Sequence, residues 1–266
     1  MSDVAAEREP RLHFDVHDGV GEHLLLVHGF LSSRASWMPN LQSLAKVSRP
    51  VTIELWAHGR SPSPAEPEWY ELPSYTAAFE RVREAVGCEQ WFVCGQSLGA
   101  AFTMRYVLDR PEHVLGHIMT NSAASVSKEE KIVTEHLEAL AVEFETGGVE
   151  AIRAQRMFPG LLPGLPDDIR TALYADAALH DPEGLATMLR YGSATSSRSR
   201  LGENVVPTLL VAGEKEQSFV KARRFLEENL PELEVVPADA GHAVNLETPE
   251  VFDAAVSRFI TALSPA

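Results

Sequence analysis

The stretch FVCGQSLGA, residues 92–100, places Ser97 between Gly95 and Gly99 at the end of an apolar run. A Gly-x-Ser-x-Gly pattern alone is a weak signal, so its surroundings matter. QWFVC reads as the end of a strand, and SLGAAFTMRYVL as a helix with Leu98, Ala101, Phe102, Arg105 and Tyr106 at helical spacing. A serine at such a corner is held in an unfavourable backbone conformation, and only small residues two positions away let strand and helix come that close. Gly95 and Gly99 supply the room, and the helix N-terminus turns unpaired N–H groups toward negative charge forming beside the hydroxyl. These are the requirements of a nucleophile.

A nucleophilic serine needs a base, and the base needs an acid to hold its tautomer. Ten histidines compete for the first role. His242 follows the short strand LEVVPA in the turn DAGHAVNLETPE, ahead of the last helix, and so can reach the carboxyl edge of a sheet where Ser97 emerges. In the chain order serine, acid, histidine, the acid falls in PTLLVAGEKEQSF, where Glu214 and Glu216 both qualify.

Other chemistry is poorly represented. His28 and His58 each precede a glycine in a loop and read as hydrogen-bonded structural groups. The pairs His13/His17 and His113/His117 lie near strands without a third ligand in view, so no metal site is expected. There is no Gly-rich phosphate loop or dinucleotide fingerprint, and no cofactor is expected. Cys88 and Cys94 are too few for a disulfide framework and read as structural free thiols.

The elements that must position these residues follow from hydrophobic patterning. RLHFDVH alternates as a half-buried antiparallel strand does, whereas HLLLV, PVTIEL, QWFVC, VLGHIM and PTLLVA are continuous apolar runs, as in parallel strands covered on both faces. Helical spacing between them, over 37–45, 75–86, 98–108, 219–230 and 251–263, gives an α/β domain wound on both sides of a mostly parallel, twisted sheet. From about residue 126 to 200 the chain has helix-like stretches and no convincing strand, and the small polar joints SAASVS and SATSSRS suit the hinges of an inserted lid.

With 266 residues, 45% of them hydrophobic, the chain can bury one large core. A formal charge of −15 repels phosphate backbones and anionic lipid, which argues against nucleic acid and membrane surfaces as partners and for a small-molecule substrate. The start MSDVAAEREP has no apolar stretch behind a basic end, and no run approaches the roughly 20 apolar residues that span a bilayer. A cytoplasmic monomer or homodimer is the expectation.

Taken in order, LLLVHGF, ELWAHGRS, GQSLGA, LLVAGEKE and GHAVNLETPE resemble the oxyanion loop, the Asp-x-Pro-Gly-His-Gly-x-Ser turn, the nucleophile elbow, the acid strand and the histidine turn of the α/β-hydrolase superfamily, over nearly the whole chain. The resemblance implies a core of residues 1–122 and 204–266 and a helical cap over 123–203. It also implies Ser97, His242 and Glu216 as a triad, with Glu214 the rival acid, and the backbone N–H groups of Phe30 and Leu98 as an oxyanion hole. Glu216 stands where Asp is common, and Glu54, Trp56 and Ala57 replace the usual Asp, Pro and Gly of the second loop, which puts that loop's shape in question.

With serine rather than aspartate at the elbow, the dehalogenase and epoxide-hydrolase chemistries of this fold are excluded, and Tyr174 and Tyr191 need not act as acids. The apolar cap residues suggest a closed pocket for a small or medium acyl group, with Met157, Phe158 and Tyr191 as substrate contacts. A carboxylesterase or lactonase without cofactor is the first reading. A carbon–carbon bond hydrolase of a diketo acid, or a menaquinone-pathway-type lyase to which HGFLSSRASW is similar, is the second; both would need cations such as Arg34, Arg153, Arg156 or Arg190. A slow-turnover ligand receptor of the same fold is the third.

Overall fold

The computed structural model describes residues 9–127, 134–192 and 195–264, so residues 1–8 of the opening stretch read above and positions 193 and 194 of the second joint lie outside it. Every apolar run becomes a strand: β1 (Phe14–Val16), β2 (His23–Val27), β3 (Arg49–Ile53), β4 (Trp91–Gly95), β5 (Val114–Met119), β6 (Thr208–Gly213) and β7 (Leu233–Ala238). They form one sheet in the order β1-β3-β2-β4-β5-β6-β7. Only β1 runs antiparallel, against β3, as its alternation foretold; every other pairing is parallel.

Alternate residues of each strand serve opposite faces. Leu24, Leu26, Phe92, Cys94, Ile118, Leu209 and Val211 pack against Phe252, Val256, Phe259 and Ile260 of α9 (Pro249–Leu263) and beside α1 (Met38–Leu44). On the other face Leu25, Val27, Val51, Ile53 and Val93 meet α2 (Leu72–Val86) and α3 (Leu98–Asp109), while Met119, Leu210 and Ala212 meet α3 and α7 (Val220–Asn229). Each large side chain so buried stabilises the fold by about 1.5–3 kcal/mol. α2 begins three residues before its apolar spacing suggests, because Pro73 suits a first turn, and ends where Gly87 turns left-handed.

Between β5 and β6 the described residues hold α4 (Glu135–Ala154), α5 (Asp167–Ala177) and α6 (Pro182–Tyr191) and no strand. The segments flanking this helical stretch lie side by side: Ser197 N–H donates to the Ser125 carbonyl at 2.9 Å, and the Arg198 guanidinium to that of Val126 at 3.0 Å. Among the described residues no helix is long and apolar enough to cross a membrane. Nor do three His, Cys, Asp or Glu side chains gather where they could hold a metal ion. Cys88 and Cys94 are free, and burial pushes both thiols up, Cys88 to about 11.

Candidate active site

β2 and β4 lie side by side at the middle of the sheet, while β3 and β5 continue it in opposite directions. This is the switch point at which open α/β sheets form a crevice at their carboxyl ends. Ser97 stands there, between the last residue of β4 and the first of α3, at φ 53° and ψ −115°. The corner closes because its glycines carry no side chain. A Cβ on Gly95 would lie 2.5 Å from the Ala100 backbone, and one on Gly99 2.3 Å from the Val27 carbonyl oxygen.

His242 lies in the loop between β7 and the short α8 (Val244–Glu247). Its Nε2 is 2.8 Å from Ser97 Oγ, and its Nδ1 is 2.9 Å from Glu216 Oε2. The carboxylate can only accept, so Nδ1 carries the proton and Nε2 accepts from the serine hydroxyl. Glu216 is braced in turn: Asn121 Nδ2 donates to Oε2 at 2.8 Å and Ser218 Oγ to Oε1 at 2.9 Å. Burial pushes the Glu216 carboxyl up, but the hydrogen bond and charge of His242, with the donors Asn121 and Ser218, outweigh it and hold the group below the ordinary glutamate range. Glu214 is exposed and faces Arg223 instead. Of the two candidate acids, Glu216 is the one brought to His242.

Sequence reasoning missed Asn121. It sits just beyond β5, donates to the Gly213 carbonyl at 3.0 Å and accepts from the Gly213 N–H at 2.9 Å, so it ties the end of one strand to the loop carrying Glu216. Its position two residues after an apolar strand was the available signal, but nothing in the chain marks which distant backbone it will meet.

Two histidines shape the loop after β2 through reciprocal bonds. His28 Nε2 accepts from the Leu55 N–H and His58 Nε2 from the Leu31 N–H, both at 3.1 Å, while each Nδ1 donates to a nearby carbonyl, of Gly29 and Trp56 respectively. Burial lowers both rings to about 3 and keeps them neutral. These are the structural histidines expected from their loops. Leu31 takes φ 56°, which turns the chain sharply after Phe30. Among the described residues neither the Phe30 N–H nor the Leu98 N–H has an acceptor, the latter being the first residue of α3. The second loop keeps a tight turn despite its changed sequence. Ala57 adopts φ 63° where glycine is usual, and Gly59, at φ 54°, leaves room for the buried Glu54 carboxylate, which accepts from the Arg60 N–H at 2.6 Å.

The residues expected to contact substrate are spread out. Phe158 is 2% exposed and packs with Ala35, Leu165, Ile169, Leu173 and Leu246, its ring edge-on to Tyr174. That cluster joins the helical segment to Ala243, the neighbour of His242. Met157 and Tyr191 are exposed. Nearer the loop, Phe30 packs 6.4 Å, ring to ring, from Phe144 of α4, and Leu98 and Leu137 are partly buried beside the same core. Of the candidate cations, Arg34 pairs with Asp15, Arg153 with Glu150, and Arg190 with Glu138 and Glu145.

Residues 22–143 match the family model described as alpha/beta hydrolase fold. The pimeloyl-acyl-carrier-protein methyl ester esterase of Nitrosospira multiformis is 26% identical over 91% of this chain and 95% of its own. Among solved structures, MenH from S. aureus superposes with a TM-score of 0.80 at 20% identity, covering 94% of this chain and 98% of that one. An enol-lactonase from Burkholderia xenovorans LB400 gives 0.80 at 21% identity, with 94% and 96% covered.

Proposed function

We propose that this chain, a member of the α/β-hydrolase fold superfamily, is a serine hydrolase that cleaves a small or medium-sized carboxylic ester or lactone through an acyl-enzyme. One observation carries the reading: Ser97 Oγ and Glu216 Oε2 lie 2.8 and 2.9 Å from the two nitrogens of His242, with the serine on a strained elbow. In this mechanism His242 takes the hydroxyl proton as Oγ attacks the carbonyl carbon. The oxyanion is received by the unengaged N–H groups of Phe30 and Leu98, each worth about 3–4 kcal/mol in the transition state. Protonated His242 then gives its proton to the leaving oxygen, and water, deprotonated by the same ring, cleaves the acyl-enzyme.

The helices of 123–203 serve as a cap over a core of 1–122 and 204–266, with Phe30, Leu98, Leu137 and Phe144 as apolar walls of the acyl pocket. The names of two of the similar proteins, an ester esterase and an enol-lactonase, support this class of substrate. Of the four candidate cations, Arg34, Arg153 and Arg190 are engaged within the protein, which weighs against carboxylate docking at those three, while Arg156 is exposed. The test is labelling and turnover. A fluorophosphonate should modify Ser97 and short p-nitrophenyl esters should be hydrolysed over many cycles, both lost in Ser97→Ala. Turnover surviving in Ser97→Ala would overturn the mechanism, and a single cycle per molecule would make the chain a receptor.

A further inference from the structure

His242 stands in a loop with its side chain 48% exposed, so burial alone does not fix the ring against Ser97 and Glu216. Glu247, the last residue of α8, reaches back across that loop. Its Oε2 accepts from the Gly241 N–H at 2.7 Å and its Oε1 from the Ala243 N–H at 3.0 Å, so one carboxylate grips the residues on both sides of the base. An N–H bonded to a carboxylate makes one of the stronger hydrogen bonds. Gly241 leaves room for the approach: a β-carbon there would sit 3.0 Å from Oε1 and 3.1 Å from Oε2. The turn of α8 is itself tied to a distant part of the chain. Asn245 Nδ2 donates to the Ser36 carbonyl at 2.9 Å and to Asn40 Oδ1 at 3.3 Å, while Asn40 Nδ2 donates to the Asn245 carbonyl at 3.2 Å. Both amides are buried, so Glu247 acts from an anchored turn.

We propose that Glu247 is a positioning residue, which fixes the backbone around His242 so that Nε2 meets both the Ser97 hydroxyl and the leaving oxygen. The inference rests on the serine-hydrolase reading above and adds to it a residue that acts through the base. The two proton transfers of that mechanism differ in what they demand. Taking the Ser97 proton is needed whatever the ester, whereas returning it matters more as the leaving oxygen becomes more basic. A misplaced ring therefore slows attack on every ester and penalises poor leaving groups a second time. Lost packing or a smaller folded fraction slows all esters alike.

The test compares phenyl acetate with p-nitrophenyl acetate in the wild type, Glu247→Gln and Glu247→Ala, with thermal melting to establish that each variant is folded. The readout is the ratio of kcat/KM for the phenyl over the p-nitrophenyl ester, in which the concentration of active protein cancels. In Glu247→Ala, kcat/KM should fall about ten-fold on the p-nitrophenyl ester and about thirty-fold on the phenyl ester, so the ratio drops about three-fold. Glutamine offers one acceptor oxygen to the two N–H groups, so Glu247→Gln should fall between the wild type and the alanine variant. If the wild type does not turn these esters over, the same ratio is read from single-cycle acylation or, failing that, from phosphonylation of Ser97 by phenyl and p-nitrophenyl phosphonates. Should one variant fail to fold, the other carries the comparison. Rates unchanged, rates lowered by one common factor, or loss of folding in both variants overturn the proposal. If Ser97 of the wild type resists all these reagents and a fluorophosphonate, the serine-hydrolase reading itself fails, and this inference with it.

Discussion

Asn121 and His242 donate to the same oxygen of Glu216, Asn121 Nδ2 at 2.8 Å and His242 Nδ1 at 2.9 Å. Two donors converging on Oε2 demand an acceptor there, and Ser218 Oγ at the other oxygen can donate or accept. In Glu216→Gln the network therefore keeps the amide oxygen toward the histidine, preserving the tautomer and removing only the charge. We expect kcat to fall about 10²-fold in Glu216→Gln and about 10⁴-fold in Glu216→Leu, where both orientation and charge are lost. Glu214→Gln should stay within about two-fold. Equal losses in the Glu214 and Glu216 variants, measured on one ester, would contradict the assignment.

Ser97 holds φ 53° with a β-carbon attached, a strain of about 1–3 kcal/mol that only glycine avoids. Ser97→Ala keeps the β-carbon and the strain, whereas Ser97→Gly relieves it at some cost in chain entropy. Both variants should be inactive, with the glycine variant more stable to urea by about 1 kcal/mol. The opposite order would mean that the elbow is not strained.

What the sequence made legible depended on range. Strand and helix positions follow from local periodicity, and all five motifs lie on the corners where those elements meet, so Ser97, His242 and a nearby acid were within reach. Glu216 and Glu214 could not be separated locally, because the choice rests on whether the loop after β6 turns toward His242 or toward Arg223. Phe158 looked like a pocket residue by type, but it is enclosed by Leu246 and other apolar neighbours from separate parts of the chain. Asn121 was passed over for the same reason: an amide's role is fixed by which distant backbone it meets.

Stability should fall steeply with acid. Burial lowers His28, His58, His117 and His180 to about 3, so in the unfolded chain each takes up a proton below roughly pH 6.5 that the folded protein refuses. Stability from these groups is complete above that pH and lost progressively between about 6.5 and 3. Asp253, pushed up to about 6 by burial, and Glu54, raised for the same cause, act in the opposite sense and cancel part of the slope. The four rings outnumber these two carboxyls, so the slope keeps its sign, each unbalanced proton contributing about 1.4 kcal/mol per pH unit. Urea titrations at pH 7, 6 and 5 should show the midpoint dropping; a flat profile would place these rings in water.

Arg60 is shared by two buried carboxylates from different layers, Glu54 of the core at 3.1 Å and Asp176 of α5 at 2.8 Å. Asp176 also accepts from Ser33 Oγ at 2.8 Å, three residues beyond Phe30, so this carboxylate hydrogen-bonds the helical segment to the loop after β2. Removing it leaves the Ser33 hydroxyl proton without its acceptor, while its oxygen still accepts from the Ala35 N–H at 3.2 Å, and leaves the Arg60 guanidinium with one partner. Asp176→Ala should cost about 2 kcal/mol and Ser33→Ala about 1. Because the two share a bond, the double variant should lose less than both single losses combined, by about 0.5–1 kcal/mol in a double-mutant cycle. Strict additivity would mean that Asp176 steadies Arg60 alone and exerts no hold on the loop that carries Phe30.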